Sequence, residues 1–372
     1  MNITIFYGGK SGEHEVSLVS ASSIVRNIDI SKHKINLVGI AKDGKWYLQP
    51  EQEFQRVRQN EQAVLSITED SNMAVAVIPG GDSNHALKAP SGTIPTDVAF
   101  LVLHGTYGED GTIQGLFDMC DIPYTGCGTA SSALAMDKEK TKMIWRQSNL
   151  PVLPHVCLKK SDMEHQEKVE KLLVQAEKEF GLPLFVKPCG TGSSVGANKA
   201  NTSEELKKYV EEAFKWDEKI LIEPLINARE IECSVTGNSV VGGPVTSYTP
   251  GEIIPTHEFY DYDAKYNDPE GAKLAIPAEL SPERIAFIQK AAVLAYKALD
   301  CSGLSRVDFF IDKDNDSLYL NEINTMPGFT SISMFPKMCQ ASGLAYDQLL
   351  DLLIQEAVDK FNSKKSIQTN KG

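Results

Sequence analysis

The sequence predicts a chain of mixed α/β and α+β class, and three observations carry that expectation. Residues 2–7 read as a buried strand ending at Gly8-Gly9, with a helical stretch and a second strand behind it, the start of a parallel-sheet unit. The middle of the chain alternates capped helices with short strands, the pattern of a small α+β layer. Towards the C-terminal end, Arg306-Val307-Asp308 and residues 320–324 read as two strands that carry polar groups in alternation. At 372 residues the chain exceeds one typical domain, so two or three sub-domains sharing one site are expected.

Taken in order, residues 17–26 read as a helix and 34–40 as a strand. Residues 42–95 are polar and irregular in pattern, which predicts an insertion of hairpins and loops. A strand at 98–103 delivers His104 to the next loop. Residues 131–147 read as a helix, followed by a proline-containing linker at 150–154. Ser161 and Glu164 have the spacing of a capping box for a helix that runs to Phe180 and stops at Gly181. Residues 184–187 form a strand entering a Gly/Ser loop; Thr202 with Glu205 caps another helix, and 219–223 is the next strand. Beyond it lie several strands, a helix at 281–299, a helix around 346–361 and a polar tail expected to fray.

Acidic side chains outnumber basic ones by 50 to 37, which argues against nucleic acid or an anionic membrane as the main partner. A few local lysines can still reverse the field inside one cleft, so a nucleotide remains admissible. No stretch approaches the ~20 apolar residues that span a bilayer, and the opening apolar run is too short for a signal peptide. The cysteines, at 120, 127, 157, 189, 233, 301 and 339, are dispersed without a C-x-x-C pair. They read as reduced thiols in a cytoplasmic protein, with neither a disulfide framework nor a zinc site.

Two glycine turns invite a nucleotide reading. Gly9-Lys10-Ser11 ends like a P-loop, but that loop needs glycine where Thr4 stands. The run Gly190–Gly196 misses the dinucleotide fingerprint by one residue and lies between strands instead of opening a helix. What remains is a strand–loop–strand hairpin with Lys187 at its base, whose small residues would let backbone N–H groups approach phosphate oxygens. From this segment alone, an ordinary hairpin with a surface lysine is the favoured reading.

The C-terminal strands weigh against that bland alternative. Alternation places Arg306 with Asp308 on one face, and Glu322 with Asn324 on one face. Asp308, Glu322 and the Asn324 carbonyl are hard oxygen ligands suited to Mg²⁺, and the apolar residues between them predict strands packed inside a domain.

The chain resembles the D-alanine–D-alanine ligases, members of the ATP-grasp fold, over nearly its whole length. The resemblance rests on GGKSGEHEVS (8–17), HGTYGEDGTIQG (104–115), FYDYDAKY (259–266), KPCGTGSSVG (187–196) and SRVDFFIDKDNDSLYLNEINTMPG (305–328). It implies an ATP-grasp fold preceded by an N-terminal parallel-sheet α/β domain, three sub-domains around one active site. Those are residues 1–125, a central lid at 126–224, and a metal-binding domain at 225–372 with a closing loop at 248–273.

By motif position, the resemblance puts ATP against Lys138, Lys187 and Ser194, with Lys265 reaching its γ-phosphate. Glu223, Pro224, Leu225 and Ile226 would line the adenine and Glu230 the ribose, while Asp308, Glu322 and Asn324 would hold two Mg²⁺ or Mn²⁺ ions. Glu13 would anchor the first substrate's ammonium in a hydrogen-bonded set with Ser193 and Tyr266. Arg306 and the Gly328 N–H would face the oxyanion, and Ser333 with Met334 the second carboxylate. His104 would sit close to the substrates, or else satisfy backbone as a loop histidine. The implied reaction joins two D-alanines for peptidoglycan precursors, in a cytoplasmic enzyme whose partners are small molecules; a homodimer is compatible with it. A D-alanine–D-lactate ligase, or a non-catalytic nucleotide-binding module of the same fold, are the alternatives.

Overall fold

The computed structural model describes residues 1–192, 195–255, 272–330 and 332–368. The N-terminal sheet has the order β3-β2-β1-β7, from β1 (Asn2–Gly8), β2 (Lys34–Ile40), β3 (Trp46–Leu48) and β7 (Val98–Val102). β1 runs parallel to both β2 and β7, as the strand–helix–strand reading requires, and β3 is antiparallel to β2. The helix His14–Asn27 makes the crossover and starts three residues earlier than its apolar pattern suggested. The turn between them needs glycine: at Gly8, φ is +90° and a side-chain carbon would fall 2.3 Å from the Ile40 carbonyl oxygen.

The segment expected to hold only hairpins and loops also contains a helix, Glu51–Gln59. Its apolar face is just Phe54 and Val57, too short a stripe to stand out, yet both are buried in the N-terminal core. The same segment adds a small sheet of β4 (Ala76–Val77), β5 (Leu87–Ala89) and β6 (Gly92–Thr93).

The helix expected over 131–147 is two helices, Thr129–Met136 and Lys138–Gln147. Asp137 interrupts them because its carboxylate accepts a hydrogen bond from the Lys140 N–H at 3.1 Å, the signature of an N-cap. Likewise, the supposed capping box at Ser161 belongs to a 3₁₀ turn, Lys160–Glu164, and the helix proper is Gln166–Phe180, ending at Gly181 with φ +74°. Thr202 does cap its helix, Ser203–Ala213, by accepting from the Glu205 N–H.

The central sheet is antiparallel, in the order β10-β9-β11-β8, from β8 (Val156–Lys159), β9 (Leu184–Pro188), β10 (Asn198–Ala200) and β11 (Lys219–Pro224). Its core draws on Val156, Leu173, Val186, Leu206 and Ile222. Trp145, Ala135 and Cys127 instead pack with Ile231, Val307 and Tyr296 of the following unit, so the expected division at 126 does not coincide with this packing.

The C-terminal sheet contains β12 (Ala228–Asn238), β13 (Thr246–Ser247), β14 (Gly251–Pro255), β15 (Ala272–Ala275), β16 (Ser302–Asp312) and β17 (Leu318–Asn324). Its order is β15-β14-β12-β16-β17, with β13 beside β12. The expected closing loop therefore begins and ends in paired strands, β14 and β15; Ile253, buried and β-branched, favours extended chain there. The helix Pro282–Ala298, capped by Ser281, covers one face. The helix Tyr346–Lys365 runs past residue 361 into the stretch expected to fray, and its Leu349, Leu350, Leu353 and Ile354 pack in one core with Ile3 and Ile5 of β1.

Candidate active site

One cleft of about 1210 Å³ opens between the central and C-terminal sheets and the segments that follow β1 and β7. Every candidate residue among the described ones lines it: Glu13, Lys138, Lys187, the stretch from Glu223 to Ile226, Glu230, Arg306, Asp308, Glu322, Asn324, Gly328 and Ser333. Ser193, Ser194, Lys265 and Tyr266 lie outside the described residues.

Alternation does set Arg306 and Asp308 facing the cleft, with Val307 buried behind them. Antiparallel pairing puts Asp308 opposite Glu322 and Arg306 opposite Asn324. The ladder then slips: Phe309 pairs with Leu320, leaving Asn321 as an extra residue. That bulge brings Asn321 and Glu322 into the cleft together, which strict alternation forbids, and Asn321 Oδ1 accepts a hydrogen bond from Lys187 Nζ at 3.1 Å.

Arg306 meets Asp308 in a fork, Nε to Oδ1 at 2.8 Å and Nη2 to Oδ2 at 2.7 Å, with Glu232 Oε2 at 3.1 Å from Nε. Burial opposes its charge, but Asp308 and Glu232 outweigh burial and hold its pKa well above the ordinary value. Asn324 Oδ1 accepts from the Met326 N–H at 2.9 Å, and a carbonyl oxygen keeps a second lone pair for another partner.

The lysines face this strand pair. Lys138 Nζ lies 3.1 Å from Glu322 Oε2 and donates to the Thr191 carbonyl at 2.8 Å. Behind Lys187 is a cation that the sequence reading missed: Glu223 contacts Lys187 at 2.7 Å and Lys142 at 2.8 Å. Burial would raise the Glu223 pKa, yet the two ammonium groups bring it down to about 2. Lys142 is pushed down to about 8, by burial first and by Lys187 repulsion besides, because two cations share a single anion. Its position four residues after Lys138 on one helix was the available signal.

At the other end, Gly105 has φ +75°, and a side-chain carbon there would lie 2.7 Å from Glu13 Oε2. Ser11 Oγ donates to the His104 carbonyl at 2.8 Å, and the Gly105 N–H donates to Glu109 Oε2 at 2.9 Å. Glu109 lines the cleft and was also missed; burial, then the charge of Glu13, raises its pKa well above the carboxylate range. His104 spends both ring nitrogens on structure, Nδ1 with the Met326 carbonyl at 2.8 Å and Nε2 with Ser20 Oγ at 3.0 Å. Burial lowers its pKa, which fits a neutral tether between β7 and the 326–329 turn. Ser333 Oγ accepts from the Thr330 N–H at 3.0 Å and would crowd any side chain at Gly328, at 2.9 Å.

Among the described residues no helix is long and apolar enough to cross a membrane. The D-ala D-ala ligase N-terminus model matches residues 2–127, and the D-ala D-ala ligase C-terminus model matches 144–355. A D-alanine–D-alanine ligase of Treponema denticola is 56% identical over 369 residues, covering 99% of each chain. The solved D-alanine-D-alanine ligase of Coxiella burnetii superposes with a TM-score of 0.83 at 34% identity, covering 98% of this chain and 96% of that one. A D-Ala:D-Ser ligase of Enterococcus faecalis gives 0.81 at 36%, covering 96% and 99%. Matched by both halves of the family's model and by relatives over its full length, the chain belongs to the D-alanine–D-alanine ligase family.

Proposed function

We propose that this protein condenses two D-alanine molecules to D-alanyl-D-alanine at the expense of ATP, forming ADP and phosphate. One observation carries the reading: a single cleft sets Lys138 and Lys187 opposite an Arg306–Asp308–Glu322–Asn324 strand pair. A carboxylate acylates poorly, so the first D-alanine's carboxylate oxygen attacks the γ-phosphorus, ADP leaves, and an acyl phosphate forms. The second D-alanine's amine, having lost a proton, attacks the acyl carbon; phosphate leaves as the peptide bond closes.

Lys138 and Lys187 would neutralise phosphate charge, and the stretch from Glu223 to Ile226 with Glu230 would seat the nucleoside. Glu13 would anchor the first ammonium, with Ser193 and Tyr266 as its expected partners by motif. Lys265 and Ser194 would reach the phosphates from the loops that carry them. Arg306 and the Gly328 N–H would stabilise the tetrahedral oxyanion, and Ser333 would contact the second carboxylate.

Two carboxylates and an amide oxygen on neighbouring strands form a hard-oxygen donor set, which fits Mg²⁺ or Mn²⁺ at Asp308, Glu322 and Asn324. Such ions, two by resemblance, supply charge neutralisation at the transferring phosphoryl group. A homodimer in the cytoplasm is consistent with this reading.

The test offers D-alanine with D-alanine, D-serine or D-lactate as second substrate and resolves the products. D-alanyl-D-alanine as the main product, with ADP release that depends on D-alanine, is expected. A main product containing serine or lactate would reassign the second substrate, and ATP binding without turnover would leave only a nucleotide-binding module.

A further inference from the structure

Behind the cleft wall, three charged groups meet in an uneven count. Glu223 offers one carboxylate to two ammonium groups, Lys142 at Oε1 and Lys187 at Oε2. The Lys142 side chain is 0% exposed, whereas Lys187 reaches the cleft and also donates to Asn321. Lys142 Nζ lies 2.8 Å from Glu223 Oε1, and both side chains are enclosed. A fully buried ammonium carries a large desolvation penalty, and an apolar side chain of similar length would avoid it. Stability alone therefore does not account for a lysine at this position.

We propose that Lys142 is a positioning residue for nucleotide binding: it takes up the charge of Glu223, so that Lys187 can leave that carboxylate for a phosphate oxygen. The inference rests on the nucleotide reading of the cleft. With Lys187 as its only counter-ion, Glu223 would hold it in a medium of low dielectric, and drawing it away would orphan a buried anion. With Lys142 in place, the departure of Lys187 leaves a neutral pair in the wall. Lys142 touches no ligand and acts only through Glu223. Lys187 and Glu223 lie diagonally across the paired strands β9 and β11, and Lys142 joins them from the helix Lys138–Gln147.

The test measures ADP binding by calorimetry in the presence of Mg²⁺, on the full chain. The proteins compared are wild type, Lys142→Met, Lys142→Arg, Glu223→Gln and Lys142→Met/Glu223→Gln. Lys142→Met should weaken ADP binding about tenfold or more, the size of one hydrogen bond to a charged group. It should raise KM for ATP more than it lowers kcat, and Lys142→Arg should restore most of the loss. Once Glu223 is neutral, Lys142 has nothing left to do, so the double variant should bind ADP as Glu223→Gln does. That comparison holds even where Lys142→Met fails to fold.

ADP binding by Lys142→Met at the wild-type level would overturn the proposal. So would a double variant weaker than Glu223→Gln, because Lys142 would then act as packing. Failure of the wild-type protein to bind ADP would instead remove the nucleotide reading itself, and the two results are distinguishable.

Discussion

Lys138 Nζ stands 3.1 Å from Glu322 Oε2, so a lysine expected at the phosphates and a carboxylate expected at the metals neutralise each other. Burial opposes the Lys138 charge, but Glu322 outweighs it and raises the lysine's pKa. Nucleotide and metal must together separate this pair. Glu322→Gln should therefore improve ADP binding measured without divalent metal by about tenfold, as a charged contact is released. It should also abolish most metal-dependent turnover. Unchanged metal-free affinity would show that the pair does not restrain Lys138.

Arg306→Ala should lower kcat by ~10²–10³, the usual loss for one oxyanion donor, with a smaller effect on KM. Arg306→Lys should recover little, since a point charge cannot reproduce the fork to Asp308 while reaching Glu232. Steady-state kinetics with both substrates varied separates these outcomes. A pure KM effect would make Arg306 a ground-state binding group.

Gly105→Ala should disturb substrate anchoring without touching the nucleotide wall. The added carbon would press on Glu13 Oε2 in a backbone conformation that side chains rarely adopt. A displaced anchor should raise KM for D-alanine by a factor of order ten to a hundred. ADP affinity should stay at the wild-type level. An unchanged KM for D-alanine would separate Glu13 from the substrate.

Glu356 supplies a pH-dependent prediction remote from the cleft. Burial, then the nearby Asp359 charge, raises its pKa to about 7, and its Oε2 has no hydrogen-bond partner among the described residues. The folded protein thus holds a proton on this group that the unfolded chain has already lost. Stability contributed here is full below the unfolded value, near pH 4.5, and falls as pH rises through about 7. Glu356→Gln should be more stable than wild type in urea unfolding at pH 8, with the gain shrinking towards pH 5. A gain independent of pH would point to packing instead.

The strands were legible because period-two alternation survives burial: Val307 and Ile311 are buried away from the cleft while Arg306 and Asp308 face it. Asn321 was not, since a bulge is a property of two strands in register and neither strand announces it alone. Asp137 hid its helix break because a capping aspartate and a surface aspartate read alike until the chain turns. Lys142 and Glu109 were hidden for the opposite reason. Charged residues are read as solvent-facing by default, and only the assembled fold reveals that these two are enclosed.

The core shared by the helix Tyr346–Lys365 and β1 bears on how the protein is made. Synthesis proceeds from β1 onward, so Ile3 and Ile5 leave the ribosome long before Leu349, Leu353 and Ile354 arrive to cover them. The N-terminal sheet is thus translated early and sealed late. In the meantime its apolar face is a natural client for a chaperone, and nascent chains halted short of residue 346 should stay bound to one.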